Sequence, residues 1–116
     1  MEKQNKFGVK VGDIFYASYG YSMCLNSFYQ VVEVLGTTKV RVRETLKRTT
    51  SDDGYGQQGH EKMVYGLFNL DREPLDKMVQ ISKYDKRPYI KINDYKHAYL
   101  LPENRYDEEF WFDYMD

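Results

Sequence analysis

The strongest constraint on the fold is a five-residue stretch, KVRVR, in which charged and apolar residues alternate strictly. Successive side chains of a β-strand point to opposite faces of its sheet. Val40 and Val42 therefore face a core, while Lys39, Arg41 and Arg43 face solvent. A register shift of one residue would bury three cations, so the pairing of this strand is strongly specified.

Other segments show the same signature of short strands bounded by turns. Two strands are predicted before this one, at Ile14 to Ser18 or Tyr19 and at Phe28–Leu35, and the second is apolar on both faces. Three more are indicated further along by the period-two apolar pairs Val79 with Ile81 and Ile90 with Ile92, and by the run Tyr95–Leu101.

The segments between these strands are less regular. Residues 49–60 contain three glycines and one large apolar side chain, which predicts a mobile loop. Residues 61–78 give an ambiguous pattern, for which we favour turns with one strand-like piece, because Gly66 and Pro74 oppose a helix.

The composition agrees with a β-protein. Twelve tyrosines and six phenylalanines favour pleated, half-buried surfaces,. A chain of 116 residues fits one domain, 1–116, with a barrel at 8–101 and an acidic aromatic tail at 102–116,. We therefore predict a mainly β fold: a small, partly open β-barrel of five or six strands in the SH3-like size range.

The chain has neither an apolar run long enough to span a membrane nor a hydrophobic N-terminal segment. We expect a cytoplasmic protein in its host cell, without a membrane partner. The single cysteine, Cys24, agrees with a reducing compartment and is expected to be buried or half-buried,.

Charge is distributed unevenly along the chain. Residues 103–116 hold six carboxylates against Arg105 alone, a charge of −5, whereas residues 1–102 hold 16 basic and 12 acidic residues, a charge of +4. A partner-binding role is expected for the following tail residues: Glu103, Asp107, Glu108, Glu109, Trp111 and Asp113.

Three interpretations of this tail remain open. The carboxylates would imitate nucleic acid toward a basic nuclease groove, or they would close onto the cationic strand of the barrel. Alternatively, the tail forms a terminal strand or helical turn whose aromatic side chains are buried on the core. Leaving Phe110, Trp111, Phe112 and Tyr114 in water is costly, so we expect the tail to dock in part,.

A second candidate surface is the cationic strand itself. Lys39, Arg41, Arg43, Lys47 and Arg48 would contact phosphates along one face,. Outward charges on a strand also serve solubility and edge protection, which is the simpler interpretation.

Neighbouring side chains bear on both interpretations of the cationic strand. Tyr16 and Tyr19 would offer stacking surfaces for single-stranded nucleic acid. Glu33 and Glu44 would instead pair with the cations across the strands.

No catalytic or metal-binding motif accompanies these surfaces. His60 falls in the predicted loop and His97 in a predicted strand, and neither belongs to a recognisable nucleophile or zinc pattern,. We therefore expect no enzyme activity, no metal and no cofactor.

Four segments carry a resemblance to known proteins, at residues 12–15, 19–21, 28–31 and 40–44. Through them the chain resembles a group of small proteins of bacteriophages and mobile elements, largely of unknown function. The chain departs from that group at Tyr19, where its relatives usually have tryptophan, and in the acidic end beyond Pro102. Small phage proteins of this kind include anti-defence factors, and the chain looks most like an anti-CRISPR protein that blocks Cas9.

The resemblance implies a non-enzymatic inhibitor of a bacterial defence nuclease, with that nuclease or its guide-RNA complex as the partner. It would act by occupying a charged nucleic-acid groove or by preventing a conformational step. The first alternative is a nucleic-acid-binding barrel of phage replication or regulation. The second is a homo-oligomeric structural or assembly protein, and the sequence is compatible with a monomer or a homodimer.

Overall fold

The computed structural model describes residues 6–19, 25–52, 54, 58–93 and 96–113. It is mainly β, as predicted. The strands are β1 Ile14–Tyr19, β2 Leu25–Val34, β3 Lys39–Asp52, β4 Gln58–Phe68, β5 Leu75–Ile81, β6 Pro88–Asn93, β7 Lys96–Leu101 and β8 Phe110–Asp113. A short 3₁₀ turn at Glu103–Arg105 precedes β8. Within the described residues, no helix is long and apolar enough to cross a membrane.

Six of the strands form a closed antiparallel barrel in the order β2-β1-β7-β6-β5-β3, with β3 pairing back to β2. The prediction of a small barrel is confirmed, and it is closed rather than partly open. The alternation at residues 39–43 also holds, because Val40 and Val42 are fully buried inside the barrel. The residues that fill the barrel are Val9, Phe15, Ala17, Tyr29, Val31, Val34, Val40, Val42, Val79, Ile90 and Ala98.

A second, smaller sheet extends from the barrel because β3 is longer than the barrel requires. Its residues 39–42 pair with β5, whereas residues 45–52 pair with β4, which in turn pairs with β8. A second core includes Phe28 of β2, Met63 of β4 and Phe110 of β8. The two-sided apolar pattern of β2 thus has a specific cause: one face lines the barrel and the other packs on this second sheet.

One prediction about the middle of the chain is wrong. Residues 49–52 and 58–60 belong to β3 and β4 rather than to a loop, and residues 53 and 55–57 lie outside the described part. Backbone pairing there supplies the order that the few apolar side chains do not. In residues 61–78, the expected strand-like piece is the end of β4, at 61–68, and turns follow at 69–74 before β5 begins at Leu75.

Strand β3 changes its relation to β4 at an irregularity between Thr45 and Lys47. Thr45 pairs with Phe68 and Lys47 with Met63, so a step of two residues on β3 faces a step of five on β4, and part of β4 bulges away from the ladder,. Within the bulge, the backbone N–H of Gly66 donates to Gln30 Oε1 (3.0 Å), and Gly66 has a positive φ of 83° that glycine adopts without strain,.

Part of the C-terminal segment packs against the rest of the protein, as expected. Strand β8 pairs with the first residues of β4, from Gln58↔Asp113 to Glu61↔Phe110. Phe110 and Phe112 are buried, and each contributes roughly 1.5–3 kcal/mol by leaving water,. Tyr114 lies outside the described residues.

Candidate functional site

The exposed part of the C-terminal segment is held by its own buried side chains. Because side chains alternate along β8, burying Phe110 and Phe112 turns Trp111 outward, where it is 47% exposed,. Asp113 has the same parity as Trp111 on β8, and Glu109 is exposed immediately before the strand begins. We call Glu109, Trp111 and Asp113 the β8 outer face.

The other predicted carboxylates lie in the turn before β8. Asp107 is almost fully exposed, with its Oδ1 3.5 Å from Lys62 Nζ. Glu108 forms a two-bond ion pair with Arg105, at 2.7 and 3.1 Å, and the hydrogen bond from the guanidinium lowers the pKa of Glu108. Glu103 is exposed at the start of the 3₁₀ turn.

Trp111 has a neighbour on β4 that sequence reasoning treated as a solvated loop residue. His60 lies opposite Trp111 in the ladder, with the ring centroids 5.6 Å apart and the planes 72° apart. His60 Nδ1 is also 3.2 Å from Ser51 Oγ on β3. The tryptophan is therefore supported from one side while its other surface stays in solvent.

Beneath β8 lies a buried polar network that sequence reasoning missed. Asn26 is fully buried, and its Nδ2 donates to Glu61 Oε1 and to the Trp111 carbonyl, both at 2.9 Å. Its Oδ1 accepts from Tyr16 Oη at 2.5 Å. Lys47 Nζ donates to the Asn26 carbonyl (2.6 Å) and lies 3.4 Å from Glu61 Oε1.

The network ties β1, β2, β3 and β4 to β8, and a sequence signal for one member exists. Glu61 is two residues from Met63, so the two share the inner face of β4, and Glu61 is only 3% exposed,. A buried carboxylate requires a counter-ion and hydrogen-bond donors, which Lys47 and Asn26 provide. Nothing local in the sequence identifies Asn26 as its partner.

The five side chains of the predicted cationic strand lie in different environments. Arg41 is bound by Asp76 through two hydrogen bonds, at 2.7 and 3.2 Å, and lies 3.7 Å from Glu33. The hydrogen bonds between them raise the pKa of Arg41 and lower that of Asp76. The expected pairing of Glu33 with a cation is thus present.

The remaining four cations also differ from one another. Lys39 and Arg48 are exposed, whereas the Nε atom of Arg43 is buried without a hydrogen-bond partner. The ammonium of Lys47 belongs to the buried network. Together with the paired Arg41, these residues do not form one uninterrupted cationic track.

The structure also shows the contacts of Tyr16, a predicted stacking residue, and of His97, which was expected to be structural. The ring of Tyr16 packs against Phe28 and Phe110, with centroids 5.1 and 4.5 Å away, so it is not an open stacking surface and that prediction is wrong. His97 on β7 stacks with Tyr89 at 5.3 Å. The side chain of Tyr19, and Cys24 as a whole, lie outside the described residues.

No group of three or more histidine, cysteine, aspartate or glutamate side chains that could hold a metal occurs in the described part of the chain. A scan against protein-family models and searches of curated proteins and solved structures found no match.

Proposed function

We propose that this protein is a phage-derived, non-enzymatic inhibitor of a bacterial defence nuclease of the Cas9 type, acting in the cytoplasm of the host. The observation that carries the proposal is the β8 outer face, Glu109, Trp111 and Asp113, anchored from behind by buried Phe110 and Phe112. The resemblance to phage anti-defence proteins supplies the class of partner.

Charge and shape both suit a basic groove. Nucleases of this type hold a nucleic-acid duplex in a positively charged channel, and outward carboxylates on a fixed strand offer a competing anionic surface. Tryptophan is among the commonest energetic anchors of protein interfaces. Because the pairing with β4 holds β8 in place, its binding would cost less ordering entropy than that of a disordered acidic tail.

The non-enzymatic part of the proposal rests on the site chemistry. Within the described part of the chain, the contact between Ser51 and His60 most resembles the pairing of a nucleophile with a general base. In a catalytic triad, a third group also orients the imidazole. Among the described residues, no carboxylate is within hydrogen-bonding distance of His60. Its ring packs against Trp111 instead.

The test is inhibition of DNA cleavage by a panel of purified Cas9–guide RNA complexes. We expect the wild-type protein to inhibit at least one of them, and Asp107→Lys/Glu109→Lys to require at least about tenfold more protein, since two reversed charges remove the attraction. Trp111→Ala should weaken inhibition without changing charge.

The matched control is Glu33→Lys/Asp71→Lys, which makes the same charge change at exposed positions away from β8. If both double variants inhibit equally, the inhibition does not depend on where the charges lie, and the proposed role of the C-terminal segment is refuted. Failure of the wild type to bind any complex would refute the choice of partner.

The nucleic-acid alternative can be tested in parallel by anisotropy of labelled single-stranded DNA, duplex DNA and RNA at about 50 and 200 mM salt. Binding that falls steeply with salt and is lost in Lys39→Gln/Arg48→Gln would favour that alternative. The dispersed environments of the five cations lead us to expect weak binding.

A further inference from the structure

One end of the barrel opens into a cleft of about 400 Å³ that none of the roles above uses. Its lining comes from the five strands β2, β3, β5, β6 and β7, and from the residues just before β5. The volume is within the range of small-molecule sites, and the mouth of a β-barrel is a common place for one.

Part of the cleft lining is apolar or aromatic. Tyr29 belongs to the barrel core and is 3% exposed, and Leu75 and Ile92 are partly buried against the same core. The other lining residues are polar or charged. An apolar part of a ligand can therefore contact Leu75 and Ile92, beside polar groups that fix its orientation.

Cationic side chains from three parts of the chain line the walls: Lys47, Arg72 and Lys96. Lys96 reaches from β7 to β2, where its Nζ donates to Ser27 Oγ at 3.0 Å and lies 5.2 Å from the centroid of the Tyr29 ring. Lys47 is committed to the buried network. Across the described residues, the Arg72 guanidinium makes no ion pair or side-chain hydrogen bond.

Two carboxylates, Glu44 and Glu73, also line the cleft. Glu44 is opposite Tyr29 in the β2–β3 ladder, and Glu73 lies on the approach to β5. Neither carboxylate has an ion pair within the described part of the chain. Carboxylates disfavour a second anion beside them but accept hydrogen bonds from hydroxyl and amino groups, so the ligand should carry donors as well as negative charge.

We propose that this cleft binds a nucleoside phosphate. Arg72 and Lys96 contact the phosphate, since a guanidinium pairs with phosphate through two bonds and an ammonium supplies a point charge. Glu44 and Glu73 accept hydrogen bonds from the sugar hydroxyls or base amino groups. Tyr29, Leu75 and Ile92 support the apolar surface.

The test is an NMR titration of the ¹⁵N-labelled full chain with the four ribonucleoside monophosphates, adenosine and inorganic phosphate. We expect at least one monophosphate to shift the backbone amides of Ser27, Tyr29 and Asn93. Adenosine and inorganic phosphate should each bind at least about tenfold more weakly, because each lacks one set of contacts.

Two variants probe the phosphate contacts. Arg72→Gln changes an exposed side chain and should fold normally, and Lys96→Gln removes the ammonium beside Ser27. Each should weaken nucleotide binding at least about fivefold, because an ionic hydrogen bond is lost. Lys83→Gln, an exposed lysine in the β5–β6 turn, is the control and should bind as the wild type does.

The proposal is independent of the nuclease-inhibitor role, so Asp107→Lys/Glu109→Lys should retain nucleotide binding. Absence of amide shifts at the cleft with every monophosphate would overturn the proposal, as would unchanged affinity in both Arg72→Gln and Lys96→Gln. Binding of a single-stranded oligonucleotide at the cleft without binding of any monophosphate would overturn the assignment of a free nucleotide.

Discussion

The buried network under β8 makes a quantitative prediction for Asn26→Ala. The substitution removes the hydrogen bonds from Asn26 Nδ2 to Glu61 and to the Trp111 carbonyl, and the one that Asn26 accepts from Tyr16. A buried polar group left unsatisfied costs about 1–3 kcal/mol, and more when it is charged. Glu61, at 3% exposure, would lose its 2.9 Å bond from Asn26 and retain the longer contact with Lys47 at 3.4 Å.

Summing these losses gives a decrease in the free energy of unfolding of about 3–5 kcal/mol, because the Tyr16 hydroxyl can recover part of its loss from water. Domains of this size have total stabilities of about 5–15 kcal/mol. The variant should therefore remain folded in water, but with a urea midpoint lowered by about 2 M for an m-value near 2 kcal/mol/M.

The assay is equilibrium urea unfolding followed by the fluorescence of Trp111, the single tryptophan of the chain, and by circular dichroism. Gln80→Ala removes an exposed hydrogen bond from Tyr89 and is the control, with an expected change below about 0.5 kcal/mol,. A loss below about 1 kcal/mol for Asn26→Ala would refute the reasoning, since it would mean that the buried groups find other partners at little cost.

Two further predictions concern Gly12, in the turn before β1, and Tyr106, in the turn before β8, which both contact Tyr65 of β4. Gly12→Ala should lower stability by about 2 kcal/mol in thermal unfolding, because Gly12 has a φ of 98° and the new methyl group would lie 2.8 Å from Tyr65 Oη,. Adding Tyr65→Phe should relieve the clash but also remove the hydrogen bond that Tyr65 Oη donates to the Gly12 carbonyl, so full recovery of stability would contradict the backbone part of the argument. Burial raises the pKa of Tyr106 to about 12, so stability should fall as pH rises from about 10, where the unfolded phenol ionises, to about 12,. Titration followed by ultraviolet absorbance should show a tyrosine that ionises near pH 12. In Tyr106→Phe, both this ionisation and its loss of stability should be absent. Ionisation of Tyr106 near pH 10 would contradict its burial.

The barrel was predictable from sequence because its strands are specified by local alternation and turns. The apolar pairs Val79 with Ile81 and Ile90 with Ile92 correctly marked β5 and β6, and the alternation at residues 39–43 fixed the barrel half of β3. Val40, Val42, Val79 and Ile90 are buried, and a one-residue shift would expose them, so the pattern determines which face is buried, although Ile81 at the end of β5 is 37% exposed,.

The second sheet was not predictable in the same way. Residues 49–52 and 58–60 have little apolar content, and their order comes from pairing with each other and with β8, about fifty residues further along the chain. Such pairing depends on contacts distant in sequence, which local propensity does not encode. The tail and this segment form strands together, although each alone is a poor strand.

Lys47 shows why the alternation that correctly assigns the barrel half of β3 predicts the wrong environment for a side chain further along the strand. Continuing the alternation of Lys39, Arg41 and Arg43 assigns Lys47 to the same solvent-facing row. Lys47 keeps that parity, because the extra residues of the bulge lie on β4, but beyond the barrel the second sheet covers this face of β3. Thr45 is 2% exposed, and Lys47 pairs with Met63, a residue of the second core. The Lys47 ammonium there reaches the Asn26 carbonyl and Glu61. The side chain predicted to bind a phosphate therefore neutralises the buried carboxylate beneath β8, and the surface that we propose for nuclease binding depends on it.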